Sequence, residues 1–261
     1  MADLAGLVTH LLACGVKYST SFDEQEKKTV VRNALEPAIQ KVKLTELSDV
    51  ITAPSEGKVL IVVSNHVSDL DTALITKRLP KECVTAFFAY DQLQKMPLVG
   101  PIISEQTVLV GKSTDKANIC SQVASMLDRG CNTFVIYPEG CHMQKKYYEK
   151  SVLFQRGIGV TTPLQNVCWP RRGAMSALLE TVGDRLEAIA DITLVYPGYD
   201  TRESEFSSIR YPSLLHSYLF ETPAVLMHVM LLHPVCCSDE GWLEKLWILK
   251  DKMVEELNSI N

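Results

Sequence analysis

The sequence lacks a long apolar run and lacks an excess of basic residues. Its first apolar stretch, residues 4–16, is interrupted by Thr9 and His10 and falls short of the ~20 residues that a membrane-spanning helix needs. No basic segment precedes this stretch, as a signal peptide would require. Lysine and arginine number 26 against 31 aspartates and glutamates, a formal net charge of −5, so the basic surface of a duplex nucleic-acid binder is missing. We therefore expect no transmembrane helix, no signal peptide and no nucleic-acid partner.

Metal-binding and nucleophile motifs are also absent. The eight cysteines form no C-x-x-C pair, and most lie in apolar segments, where cysteine packs as a small hydrophobe. This usage indicates a reducing, cytosol-facing location and no metal site. No G-x-S-x-G motif occurs either, so a hydroxyl nucleophile would have to come from a substrate.

Apolar runs of strand length alternate with helix-periodic segments along the chain. This alternation predicts a single α/β domain with a mostly parallel central sheet flanked by helices. The predicted strands are 58–64, 84–89, 107–110, 133–137, 167–169, 192–196 and 225–232. The predicted helices are 4–16, 69–79, 115–129, 175–189 and 241–260. We divide the chain into an N-terminal helical segment, 1–50, and the α/β domain, 51–261.

The predicted N-terminal helix has one leucine-rich face. The residues that share the helical spacing i, i+3, i+4, i+7, i+8 are Leu4, Leu7, Val8, Leu11 and Leu12. That face either packs on the protein core or docks the protein on a membrane surface. An anchor would usually carry several basic residues on its polar side, and only Lys17 is close.

The stretch VVSNHVSDLDTAL, residues 62–74, places a histidine and an aspartate directly after a buried strand. His66 follows the strand and Asp71 lies in the first turn of the next helix, so both side chains can point into one crevice. A carboxylate that holds one imidazole nitrogen lets the other nitrogen take a proton from a hydroxyl. Ser68 and Asp71 also match a capping box, in which they would bind free amides at the helix start. Spacing alone favours the capping interpretation.

The stretch TFVIYPEGCHMQKK, residues 133–146, also takes a strand into a loop. Gly140 allows the backbone to approach a ligand closely, and Lys145 and Lys146 offer charge to a phosphate. Taken alone, Pro-Glu-Gly is a common turn.

Together, Asn65-His66-x-Ser68-x-x-Asp71 and Tyr-Pro-Glu-Gly resemble two motifs of the H-x4-D glycerolipid acyltransferases, the superfamily of glycerol-3-phosphate and 1-acylglycerol-3-phosphate acyltransferases. VLVGKS (108–113) resembles the second block of this superfamily, and VCWPRRGAMSALL (167–179) resembles the fourth. The C-terminal part is similar to the lysophosphatidic acid and lysocardiolipin acyltransferase branch. The likeness covers about residues 55–255 and implies a glycerol-3-phosphate acyltransferase-like fold.

The resemblance implies a reaction and the residues that perform it. His66 would deprotonate the free hydroxyl of a lysophospholipid, oriented by Asp71, and acyl-CoA would be a co-substrate, with no metal or other cofactor. The acceptor implied is 1-acylglycerol-3-phosphate, which would give phosphatidic acid. The implied substrate-binding residues are Asn65, Ser68, Lys112, Glu139, Gly140 and Arg171. A membrane surface would be a further partner, with the cytosolic side of the endoplasmic reticulum as the candidate location.

Three positions depart from the family pattern. Lys112 stands where the second block ends in arginine, and Cys141 and His142 stand where threonine and often arginine follow Pro-Glu-Gly. Lysine keeps the charge but loses the bidentate fork of arginine. Three alternatives therefore stay open: a remodelling acyltransferase acting on lysocardiolipin or a similar lipid, a transacylase that uses no CoA, and a non-catalytic module that binds acyl-CoA or lysolipid.

Overall fold

The computed structural model of the protein describes the backbone of residues 43–46 and residues 51–95, 106–203, 212 and 224–259. The strands are β1 (Lys43–Glu46), β2 (Val59–Ser64), β3 (Thr85–Tyr90), β4 (Thr107–Val110), β5 (Thr133–Ile136), β6 (Leu186–Val195) and β7 (Ala224–Leu232). The helices are α1 (Asp71–Arg78), α2 (Lys116–Asp128), α3 (Lys145–Gly157), α4 (Arg172–Val182) and α5 (Trp242–Ser259). The predicted N-terminal helix at 4–16 lies outside the described residues, and β1 is a strand within the segment predicted to be helical.

One seven-stranded sheet organises the chain, in the order β1-β7-β6-β2-β5-β3-β4. All neighbours are parallel except β6 and β7, which are antiparallel. The predicted α/β fold with a mostly parallel sheet is therefore confirmed. Since β2 lies between β6 and β5, the loops that follow these three strands leave the same edge of the sheet side by side.

Side chains from the two faces of the sheet fill two cores. All six residues of β2 are buried, as expected for a central parallel strand. Ile61 and Val63 point to the core shared with α2, α4 and α5, while Leu60 and Val62 point to the core shared with α1. Helices thus pack against both faces of the sheet.

The predicted strand at 167–169 is wrong. Val167 and Cys168 are buried, but side chains accept hydrogen bonds from the backbone amides of this segment, and no neighbouring strand among the described residues does. Asp251 Oδ1 accepts from Val167 N at 3.2 Å, Glu139 Oε2 from Cys168 N at 3.1 Å, and Ser151 Oγ from Trp169 N at 2.8 Å. The apolar run marks burial here and not membership of the sheet.

One predicted helix has different bounds in the structure, and another helix was not predicted. The helix predicted at 175–189 spans 172–182 and ends at Gly183, whose φ of 53° is in the left-handed region that glycine adopts readily. Residues 186–189 belong to β6 instead. Lys145 and Lys146, for which no helix was predicted, begin α3. No helix of the described residues is long and apolar enough to cross a bilayer.

The last helix is fixed by polar contacts as well as by apolar packing. The Lys250 ammonium is buried and lies 2.6 Å from the Asp191 carboxylate and 2.7 Å from the carbonyl oxygen of Ile192. One helical position further on, Asp251 Oδ1 also accepts from the amides of Gln165, at 2.9 Å, and Asn166, at 2.6 Å. Burial raises the pKa of Asp251, and the amide hydrogen bonds oppose that rise. This helix therefore holds the buried segment that leads to Cys168.

We expect Asp251→Ala to lower the free energy of unfolding by about 1–3 kcal/mol, because three backbone amides lose their acceptor. Asp251→Asn keeps an oxygen at the same place and should lose less. Urea denaturation of both variants measures the difference. An unchanged midpoint for Asp251→Ala would show that water satisfies these amides equally well.

Candidate functional site

The site forms where β2, β5 and β6 end side by side. His66 follows β2 by two residues, Tyr137 follows β5 directly, and Tyr196 follows β6 directly. Asp71 is the first residue of α1. The sheet therefore brings together side chains that are up to 130 residues apart in sequence.

His66 and Asp71 form the pair that the sequence predicted. His66 Nδ1 lies 3.0 Å from Asp71 Oδ2, and the carboxylate is fully buried whereas the imidazole is 16% exposed. In a neutral imidazole, the nitrogen bound to a carboxylate carries the proton. The bond at Nδ1 thus leaves Nε2 as the nitrogen that accepts a proton.

The same carboxylate also binds the loop that leads into α1. Asp71 Oδ2 accepts from the amides of Val67 at 2.6 Å and Ser68 at 2.9 Å, and Oδ1 accepts from the Tyr196 hydroxyl at 2.6 Å. One carboxylate thus binds both the backbone that leads into α1 and the imidazole of His66.

Aromatic rings hold the His66 imidazole in place. The Tyr137 ring stacks on it, with centroids 3.9 Å apart and planes 14° apart. The His142 ring meets it edge to face, with centroids 4.0 Å apart. Burial, followed by the proximity of His66, lowers the pKa of His142 well below its usual range. His142 is therefore a neutral ring beside His66 and does not replace the family's arginine as a cation.

Tyr137, His142 and Tyr196 were missed by the sequence analysis as members of the site. The pKa of Tyr137 and of Tyr196 lies well above the usual tyrosine range, mainly because of burial and then because of the nearby Asp71, so both phenols stay protonated. The available signal was their position: each tyrosine is the first residue after a strand that borders β2. Their contacts with His66 and Asp71 depend on strand order, which the sequence did not give.

The Glu139 carboxyl connects the backbone at His66 to the backbone at Cys168. Its Oε1 accepts from His66 N at 3.4 Å and its Oε2 from Cys168 N at 3.1 Å. The side chain is buried, and burial, with a smaller effect of Cys141, raises the pKa of its carboxyl well above the usual range. The Met143 amide also donates to the His66 carbonyl at 2.7 Å. Glu139 and Met143, at the two ends of the loop 139–143, thus both contact the backbone of His66.

Asn65 and Ser68 likewise bond within the protein. Asn65 Nδ2 donates to the Leu194 carbonyl and Asn65 Oδ1 accepts from the Leu194 amide, both at 2.8 Å. Ser68 Oγ accepts from Leu70 N at 3.1 Å and donates to the Pro212 carbonyl. The three residues Asn65, Ser68 and Glu139, predicted to bind substrate, are thus buried in internal hydrogen bonds that shape the loop around His66.

Arg171 and Gly140 lie together at the open side of the loop. Gly140 has a φ of 63°, and a Cβ there would lie 3.6 Å from Arg171 Nη1. The Arg171 amide donates to the Pro138 carbonyl at 2.8 Å, while its side chain is exposed. A guanidinium therefore stands against the turn that follows Glu139.

Lys112 follows β4 at the same edge of the sheet, but β4 is the outermost strand on that side. Three strand spacings separate β4 from β2, which is roughly 14 Å. Arg171 thus lies against the loop that contacts His66, whereas Lys112 follows a strand three positions from β2 in the sheet. Among the described residues, no group of three His, Cys, Asp or Glu side chains is arranged to hold a metal ion.

The comparisons with known proteins agree with this geometry. The chain is 24% identical over 220 residues to 1-acyl-sn-glycerol-3-phosphate acyltransferase epsilon of Mus musculus, covering 78% of this chain and 59% of that protein. It is 26% identical over 140 residues to 2-acyl-1-lysophosphatidylinositol acyltransferase of Saccharomyces cerevisiae, covering 48% of this chain and 32% of that protein. The chain thus spans about three fifths, or less, of the length of these relatives.

A solved structure shares the fold. The crystal structure of the 1-acyl-sn-glycerophosphate (LPA) acyltransferase PlsC from Thermotoga maritima matches with a TM-score of 0.54 and 16% identity, over 91% of this chain and 84% of that one. The predicted fold type and the predicted family resemblance are both confirmed. The acyltransferase family matches residues 41–196, which include His66, Asp71 and Glu139, and the protein therefore belongs to the acyltransferase family.

Proposed function

We propose that the protein transfers a fatty acyl group from acyl-CoA to the free hydroxyl of a lysophospholipid, with 1-acylglycerol-3-phosphate as the acceptor and phosphatidic acid as the product. The observation that carries this proposal is the His66–Asp71 pair, with Nδ1 held at 3.0 Å and the ring kept partly open to solvent. The names of the relatives, which specify lysophospholipid acyltransferases, support the same reaction.

The proposed reaction needs one base and no metal or prosthetic group. His66 Nε2 takes the proton of the acceptor hydroxyl as its oxygen attacks the thioester carbonyl of acyl-CoA. The buried Asp71 carboxylate stabilises the imidazolium that forms. When the tetrahedral intermediate collapses, the C–S bond breaks and the CoA sulfur receives the proton from His66. The products are a diacyl phospholipid and free CoA, and the imidazole is neutral again.

The acceptor phosphate needs a cation near the hydroxyl that His66 activates. Arg171 lies against Gly140 in the loop whose next residues contact His66, and a guanidinium can bind two phosphate oxygens at once. We assign this role to Arg171, with Lys112, Lys145 and Lys146 attracting the anionic head group from further away. Lys112, which stands at the arginine position of the family pattern, has the lesser role in this assignment.

A second candidate function is the remodelling of another lysophospholipid. The yeast relative named for lysophosphatidylinositol favours it, because the same base can serve any acceptor hydroxyl that reaches Nε2.

In either case we expect the protein to work at a membrane surface facing the cytosol, where its lipid acceptor resides. The endoplasmic reticulum is the proposed compartment.

We predict that His66→Ala lowers acyl transfer by about 10²- to 10⁴-fold, the usual contribution of a general base. Asp71→Asn should lose nearly as much, since the amide can hold the imidazole in the wrong tautomer. Product formation from labelled acyl-CoA measures both losses, and circular dichroism checks that the variants fold.

The Asp71 variant needs its own control because this carboxylate also binds the backbone amides of Val67 and Ser68. A folded Asp71→Asn protein with nearly full activity would reduce Asp71 to a cap, and an active His66→Ala protein would remove the base from the mechanism.

His142 offers a test through the dependence of rate on pH. Among the described residues, Asp71, Tyr137 and His142 contact the His66 ring, and the Glu139 carboxyl contacts its backbone. His142→Arg places a fixed cation beside His66 and opposes its protonation, so the acidic limb of the kcat/KM profile should move to lower pH. His142→Phe keeps a neutral ring and should leave the limb in place. If His142→Phe moved the limb as far as His142→Arg, the charge would not be the cause.

Arg171→Ala should raise the KM for lysophosphatidic acid by about 10- to 100-fold, because a charge-assisted hydrogen bond to phosphate is worth roughly 1.5–3 kcal/mol. The KM for acyl-CoA should change little, and Lys112→Ala should have a smaller effect on either substrate. The neighbouring Arg172, which is exposed and pairs with Glu244, provides the matched control, Arg172→Ala. A rise confined to the KM for acyl-CoA would assign Arg171 to the CoA phosphates, and a larger loss for Lys112→Ala would restore Lys112 as the main cation.

A further inference from the structure

Helix α3, which follows the loop of the candidate site, has an exposed apolar surface. Leu153 is 67% exposed, Phe154 is 55% exposed, and Ile158, at the C-terminal end of the helix, is 52% exposed. Three large apolar side chains this close together differ from the single exposed hydrophobic residues that are normal on a protein surface.

The inner side of α3 is fixed, so these residues cannot turn inward. Ser151 Oγ accepts from Trp169 N at 2.8 Å, and the buried Gln155 accepts from Leu164 N at 2.9 Å through its Oε1. The Tyr148 hydroxyl lies 3.0 Å from Gln165 Oε1. All three contacts are with the segment 164–169, which α5 holds in turn.

The outer side of α3 is basic in a protein that is acidic overall. The helix contains four cations, Lys145, Lys146, Lys150 and Arg156, and one anion, Glu149, whereas the whole chain has a formal net charge of −5. Lys146, Lys150, Leu153 and Phe154 follow the spacing i, i+4, i+7, i+8, which places them on one helical face. Exposed apolar side chains can insert into a bilayer, and neighbouring lysines can attract its anionic head groups.

The N-terminal end of α3 is connected to the candidate base. Met143 donates its amide to the His66 carbonyl at 2.7 Å, and α3 begins two residues later at Lys145. A bilayer bound to α3 would therefore be held by the same helix that starts beside the loop of His66.

We propose that α3 docks the protein on an anionic lipid bilayer, with Leu153, Phe154 and Ile158 inserted among the lipids and Lys146 and Lys150 at the head groups. We call these five residues the docking face. The inference rests on the proposed function to the extent that the acceptor is a membrane lipid, but membrane binding can be measured without any turnover.

The test compares three double variants of the full chain in vesicle co-sedimentation. Leu153→Ser with Phe154→Ser should weaken binding to phosphatidylcholine–phosphatidylserine vesicles by about tenfold or more, because two apolar side chains no longer insert. Lys146→Glu with Lys150→Glu should weaken it by about tenfold or more on these vesicles and have little effect on vesicles of phosphatidylcholine alone. The matched control, Val235→Ser with Leu249→Ser, removes two exposed apolar residues elsewhere and should bind like the unmodified protein.

Turnover of a soluble substrate, measured beside vesicle binding, separates this inference from the proposed function. The serine variant and the control variant should keep their turnover of a water-soluble, short-chain lysolipid, since none of their changed residues belongs to the base, its partners or the cations assigned to the acceptor head group. Binding that is unchanged in both the serine and the glutamate variant would overturn the docking face, even in an active enzyme. A protein without turnover whose binding still depends on the docking face would instead overturn the proposed function alone.

Other occupants of the docking face give different results. If a second copy of the chain covers it, the serine variant changes the oligomeric state in light scattering without lipid. If residues 1–42 cover it, their deletion increases the accessibility of a cysteine introduced at Leu153. Either result, together with unchanged vesicle binding, contradicts the proposal.

Discussion

The buried carboxylate of Asp71 is the group on which the site depends. A charge removed from water must be compensated by hydrogen bonds, and four donors surround this one: His66 Nδ1, the amides of Val67 and Ser68, and the Tyr196 hydroxyl. The helix start, the imidazole orientation and the end of β6 are consequently fixed by one side chain. Local structure and chemistry are not separable here.

A second carboxyl group, that of Glu139, contributes by binding the backbone of His66. It joins the backbone of His66 to the segment at Cys168, and that segment is held in turn by Asp251 of α5. The position of the base therefore depends on contacts that reach the C-terminal helix. This dependence explains why a glutamate in a family motif can be essential to geometry while its oxygens face backbone amides instead of a ligand.

The sequence was sufficient to identify the parts of the structure that depend on local pattern. The alternation of elements predicted the α/β sheet, and the strand–loop–helix around His66 and Asp71, together with the family resemblance, predicted the pair. It was insufficient where a residue's partner is distant. Val167 and Cys168 look like a strand because they are apolar, yet their amides bond to side chains up to 84 residues away. Tyr137 and Tyr196 meet the pair only because β5 and β6 border β2, and Gly183 ended a helix whose periodicity continued.

The central claim is that this site moves an acyl group from a thioester to a lysophospholipid hydroxyl. The most direct measurement uses the purified protein with labelled oleoyl-CoA and a panel of lysophospholipids, and it identifies the labelled product. The account predicts labelled diacyl phospholipid, with lysophosphatidic acid as the best acceptor and one free CoA released for each product molecule. Diacyl product formed equally well without CoA, or no labelled product with any acceptor, would contradict it.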